Sequence, residues 1–207
     1  HVQLIGKQIP LIRELLEDHP GLVIDPKNLA TVLNAAYRLP DGQDAYSATA
    51  LKLVQYLLDL YPENHPAKYF HFGIDEFDAD DMAILAETLG MTPSQAFAHC
   101  LNLGTDYVLS RKVTPVIWGD ILLSPDLGGP DHGITLPGYT PDPRHQGSPA
   151  GAYHGNYKSG EISLHTMVNY LRDREKIIVA DWHYSPSSIG EFPSVDYFQS
   201  LGFKDVW

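Results

Sequence analysis

Hydrophobic residues recur along this chain in two rhythms, three to four positions apart and two positions apart, separated by polar or turn-forming stretches. The first helical rhythm comes after Pro10, a residue suited to a first helical position because its missing N–H would find no partner there. Ile12, Leu15 and Leu16 then form one apolar stripe, and His19-Pro20-Gly21 ends it. Residues 26–38 read as a second, short helical stretch, and Leu39-Pro40-Asp41-Gly42 as a turn. From Ser47 to Tyr61, the residues Ala50, Val54, Leu57, Leu58 and Tyr61 share a helical face, and Pro62 to Pro66 close the element.

The period then changes. Between Lys68 and Glu76, Phe70, Phe72 and Ile74 fall on one side of an extended chain and Tyr69, His71, Gly73 and Asp75 on the other. A wholly apolar face opposite a mixed one suits a strand with helices outside and a polar site inside. The unit recurs in outline. A helix near Pro93–Leu109 leads to a strand at Thr114–Trp118. A helix at about Ile162–Arg174 leads to a strand at Lys176–Ala180, and a helix at Ser194–Leu201 to a last strand at Phe203–Trp207. Alternation of this kind predicts an α/β fold with a parallel sheet, of the (β/α)8 TIM-barrel type. Three firm strands and a fourth at the end are fewer than the eight such a barrel needs, so the expectation is one partial barrel domain over residues 1–207. Residues 124–160 interrupt it: 14 of these 37 are Gly or Pro, which predicts a long functional loop rather than another βα unit.

Composition narrows the partners. The net charge of −12, with 14 Lys and Arg scattered along the chain, argues against a nucleic-acid partner. No apolar run reaches the roughly 18 residues of a membrane span. A single cysteine, Cys100, excludes an intrachain disulfide or a multi-cysteine metal site and reads as a small buried apolar residue. Compartment and oligomeric state are not written in the composition.

The chemistry gathers just past the predicted strand ends. His71-x-Gly73-x-Asp75-Glu76 puts two adjacent carboxylates at the end of a strand, followed by Asp78, Asp80 and Asp81. Two close negative charges resist ionising together, which raises one pKa and lets one carboxyl act as an acid at working pH. A solvated acidic turn would show the same residues. Trp118 and Trp182 stand at strand ends as sugar-stacking walls or as core fillers. Asp120 is a hydroxyl-binding group or a helix N-cap. Strand parity allows Asp181 with His183, or Trp182 with Tyr184, to face a pocket.

Tyr69-Phe70-His71-Phe72-Gly73-Ile74-Asp75-Glu76 closely resembles the His-x-Gly-Gly/x-Asp-Glu signature of glycoside hydrolase family 20, the β-N-acetylhexosaminidases. Val116-Ile117-Trp118-Gly119-Asp120 resembles the family's strand ending in Trp and an acid. Ile178-Val179-Ala180-Asp181-Trp182-His183-Tyr184 resembles the next strand, as in the hexosaminidase D-like branch. Phe192–Phe198 and Leu201-Gly202-Phe203 resemble the family's succeeding helix and strand entry. Ile74 departs from the pattern, where many members carry Gly. The resemblance implies a carbohydrate substrate ending in N-acetyl-β-hexosamine, cleaved with assistance from its own acetamido group. Glu76 is then the acid–base and Asp75 the residue that orients and charge-stabilises the acetamido nitrogen. His71, Trp118, Asp120, Trp182 and Tyr184 are the substrate-binding candidates, His71 being equally readable as a brace for Asp75 or as a satisfied core histidine. The chemistry calls for no cofactor and no metal. Two other classes fit the same residues: a non-catalytic carbohydrate-binding barrel fragment, and a metal-dependent hydrolase using His71, Asp75, Glu76, Asp120 and His183.

Overall fold

The computed structural model describes residues 10–28, 31–61, 65–73, 79–119, 122, 164–181 and 193–207. The fold is mixed α/β. Its centre is a four-stranded parallel sheet whose strands lie side by side in chain order: β1 (Tyr69–His71), β2 (Thr114–Trp118), β3 (Ile178–Ala180) and β4 (Asp205–Val206). Tyr69 pairs with Thr114 and His71 with Val116; Val116 pairs with Ile178 and Trp118 with Ala180; Ile178 pairs with Asp205 and Val179 with Val206.

Partners in a parallel ladder point to the same side, so this register divides the sheet into two faces. Phe70, Phe72, Ile117 and Val179 occupy the outer face and join the main hydrophobic core, with Val206 packed at its edge. Tyr69, His71, Thr114, Val116, Trp118, Ile178, Ala180 and Asp205 occupy the inner face. Val116 and Ile178 are buried there, outside that core. The sheet is strongly curled. The ring of Tyr69, on edge strand β1, meets the ring of Trp207, just past edge strand β4, at 4.8 Å between centroids and nearly edge-on. A flat sheet would hold these edges three strand spacings apart, about 14 Å. Both rings remain about half exposed, at 51% and 52%.

The described residues include five α-helices: α1 (Pro10–Leu15), α2 (Lys52–Asp59), α3 (Ala79–Leu89), α4 (Pro93–Ser110) and α5 (Pro193–Ser200). Each sends apolar side chains into the core that the outer face shares, among them Ile12, Val54, Met82, Phe97 and Phe198. The longest, α4, starts on a reciprocal cap. Gln95 N–H donates to the Thr92 hydroxyl, Thr92 N–H donates to the Gln95 side chain, and Pro93 comes next at the first helical position. Phe97, Cys100, Leu101 and Val108 are among its buried apolar side chains. Ser47–Leu51 forms a π-helical turn ahead of α2, and the Thr49 hydroxyl donates to the Ala45 carbonyl inside it. The helical face predicted there holds for Ala50, Val54 and Leu58, which are buried; Tyr61 falls past the last turn and is 57% exposed.

Two expectations are corrected. The described residues between 26 and 38 are not helical: Val23 and Leu33 form an antiparallel bridge, as do Arg38 and Asp44. Asp25 accepts from Lys27 N–H and Asn34 from Ala36 N–H, so short polar side chains capture the amides a helix would need. The segment before β3 is a 3-10 helix, Leu164–Tyr170, rather than an α-helix to residue 174. Its end is held from outside: buried Asn102 of α4 donates to Tyr170 O at 2.9 Å and accepts from Arg172 N–H at 2.9 Å. Helix α3, Ala79–Leu89, was not foreseen, since its leading acids read in the sequence only as part of an acidic cluster. The strands are shorter than expected except β2, whose bounds are those predicted. Residues 124–160 lie outside the described residues.

Two buried polar groups make opposite predictions. Asn102→Ala leaves a carbonyl and an amide without their partner and should cost roughly 1–3 kcal/mol in urea denaturation. The Tyr46 hydroxyl is fully buried with no hydrogen-bond partner among the described residues, and burial raises its pKa well above the ordinary tyrosine range. Tyr46→Phe removes that desolvated group at nearly constant volume. The same titration should show stability unchanged or higher by up to about 1 kcal/mol.

Candidate active site at the strand ends

All four strands are parallel, so their C-terminal ends open on one rim of the sheet, the side on which α/β folds carry their ligands. β1 reaches this rim through Phe72, whose N–H continues the ladder onto Val116 O at 2.9 Å. The next residue, Gly73, has φ +76°, a left-handed conformation that costs an L side chain energy and glycine little. Its N–H donates back to Nδ1 of His71 at 3.0 Å. The backbone just past β1 is therefore fastened to its own inward-facing histidine.

β2 reaches the rim at Trp118. His71 and Trp118 sit on the inner face of adjacent strands, and their rings are 4.4 Å apart at 58°. Both are half-buried. Gly119 comes next, with its N–H donating to Ala180 O at 2.9 Å. A Cβ on Gly119 would stand 2.8 Å from the Phe198 ring of α5 and 2.9 Å from Val179, so only glycine lets α5 close against the end of β2. On β3, Asp181 N–H donates to Trp207 O at 2.7 Å and ties the rim to the last residue.

The His71 imidazole is electrically quiet. Burial holds its pKa down from 6.5 to about 4, so at neutral pH it is uncharged. Cys100 is buried in the outer core and burial pushes its thiol up to about 12, which removes it as a nucleophile. A shallow cavity of about 350 Å³ lies between the outer surfaces of α2 and α4, lined by Arg38, Asp44, Ser47, Lys52, Gln55 and Tyr107. It shares no residue with the strand-end rim.

Of the residues singled out by sequence, the structure brings His71 and Trp118 together. Asp75, Glu76, Asp120, Trp182 and Tyr184 lie outside the described residues, as does His183. Sequence reasoning missed the structural roles of Gly73 and Gly119. Their signal was present: a glycine directly after an apolar strand run marks a bend or a close backbone approach. Comparison with known proteins finds no family model and no curated protein that matches this chain.

The depressed His71 pKa has a consequence for stability. Between pH 6.5 and about 4 the unfolded chain protonates this ring and the folded chain does not, so the unfolded state binds more protons. The contribution is fully present above pH 6.5 and is lost as pH falls through 4. Allowing for the ring's solvent contact, it amounts to roughly 1–2 kcal/mol. Denaturation at neutral pH and near pH 4.5 should show a smaller acid-side loss in His71→Asn than in the parent protein.

Proposed function

We propose that this chain is part of a glycoside hydrolase that removes terminal N-acetyl-β-hexosamine residues, built on a (β/α)8 barrel to which the curled sheet contributes four adjacent strands. The observation that carries the reading is His71-x-Gly73-x-Asp75-Glu76 at the end of a parallel strand whose inner-face histidine lies against a strand-end tryptophan. The sheet's curl, its helix-covered outer face and its mixed inner face support a barrel wall over an open, flat sheet.

In this reading the substrate's acetamido oxygen attacks the anomeric carbon, forming an oxazolinium-like intermediate and expelling the aglycone. Glu76 protonates the leaving oxygen, then takes a proton from the water that opens the intermediate. Asp75 orients the acetamido N–H and stabilises the positive charge that develops on it. No enzyme nucleophile is needed, so the two acids can be sequence neighbours rather than standing on opposite sides of the sugar. Trp118 supplies an apolar ring for the sugar's C–H face. Asp120, Trp182 and Tyr184 complete the substrate-binding set. His71, neutral at working pH, contributes no charge to the sugar.

The decisive assay compares a chromogenic N-acetyl-β-glucosaminide with the matching plain β-glucoside. Cleavage of the acetamido substrate alone, reduced at least about 100-fold in Glu76→Gln, is the expected outcome. Equal cleavage of both substrates would refute assistance by the acetamido group. Binding of N-acetylglucosamine without turnover in either protein would identify a carbohydrate-binding module instead.

A further inference from the structure

Among the described residues, His71 is the inner-face side chain that touches both the backbone just past β1, at Gly73, and the aromatic ring at the end of β2. Its Nδ1 accepts from Gly73 N–H, so the proton of the neutral ring resides on Nε2. The other neutral tautomer and the imidazolium would each set a ring N–H against the Gly73 N–H and break that bond.

We infer that His71 is a positioning residue locked as its Nε2–H tautomer, with Nδ1 fastening the Gly73 amide and the ring setting the orientation of the Trp118 indole. The inference deepens the proposed function and rests on it for the meaning of the two groups held. One is the chain that runs on to Asp75 and Glu76, and the other is an aromatic wall for the sugar.

Three physical effects act on this ring. An imidazolium at 4.4 Å from an indole would gain a cation–π attraction. It would forfeit the Gly73 bond and the hydration of a charge. Burial holds the ring's pKa down to about 4, so the neutral form that can accept at Nδ1 persists through the neutral range. Gly73 completes the device. Its N–H donates to the side chain two residues earlier, a pattern that asparagine and aspartate reproduce readily through their own side-chain oxygen. The ring is needed for the second contact, since a short amide supplies an acceptor but no flat face.

Two substitutions separate the functions. His71→Asn keeps an acceptor for Gly73 and removes the ring; His71→Phe keeps the ring and removes the acceptor. In NMR spectra of the whole chain, the Gly73 amide should stay protected from exchange in His71→Asn and exchange roughly three- to tenfold faster in His71→Phe. The Trp118 indole resonance, identified by its disappearance in Trp118→Phe, should shift in His71→Asn and change less in His71→Phe. The unmutated protein offers a test free of folding defects. Long-range proton–nitrogen spectra of the labelled ring should show a bare Nδ1 and a protonated Nε2 at neutral pH. A protonated Nδ1, or both resonances indifferent to both substitutions, would overturn the assignment. These readouts need no substrate, so they stand or fall apart from the hydrolysis assay, and loss of turnover without these signatures would leave His71 no positioning role.

Discussion

Packing of one sheet face against the helices governs the rest of the molecule. Phe70 and Phe72 from the first strand, Ile117 from the second and Val179 from the third all enter the helix-lined core on the outer face. Burying a side chain of this size is worth roughly 1.5–3 kcal/mol. The side-chain period of a strand is two, so seating these residues outward leaves their neighbours no choice. A slip of one residue in β1 would send Tyr69 and His71 into the helix layer and Phe70 and Phe72 to the inner face. The register that satisfies the core is therefore the register that presents His71 and Trp118.

The rim depends on two glycines with different tasks. Gly73 adopts a left-handed backbone conformation, and its N–H donates to His71. Gly119 supplies space, admitting the Phe198 ring against the end of β2. Between them, an uncharged imidazole and an indole share one surface. The buried groups elsewhere do not compete for a chemical role. Cys100 is held as a thiol inside α4, and Tyr46 carries a hydroxyl whose burial raises its pKa beyond any use near neutrality.

The curl of the sheet links fold to function. Contact between Tyr69 and Trp207 across the inner face shows that the two edge strands bend towards each other instead of lying flat. Their half-exposed rings leave aromatic surface in contact with water on this face. The polar tie from Asn102 to Tyr170 and Arg172 works on the opposite side, anchoring the 3-10 segment that delivers the chain to β3.

Residue pattern alone determined the elements whose burial is regular. β2 was legible from Thr114 to Trp118, α4 from its proline and its recurring apolar positions, and the alternation in β1 from the contrast of Phe70 and Phe72 with Tyr69 and His71. It also supplied the motif from His71 to Glu76, since a spacing of residue types is a property of the chain itself. Tertiary structure decided the matters that depend on distant partners. Asx bonds and antiparallel bridges overrode the helical reading of residues 26–38, and Asn102 of α4 holds the end of the 3-10 turn that was read as an α-helix. The strand register placed His71 against Trp118, because each strand's own sequence fixes which side chains share a face but not which strand lies beside it. A glycine after each apolar run was a local signal, but the space at Gly119 is filled by Phe198 of a helix far along the chain, a partner that local pattern does not encode.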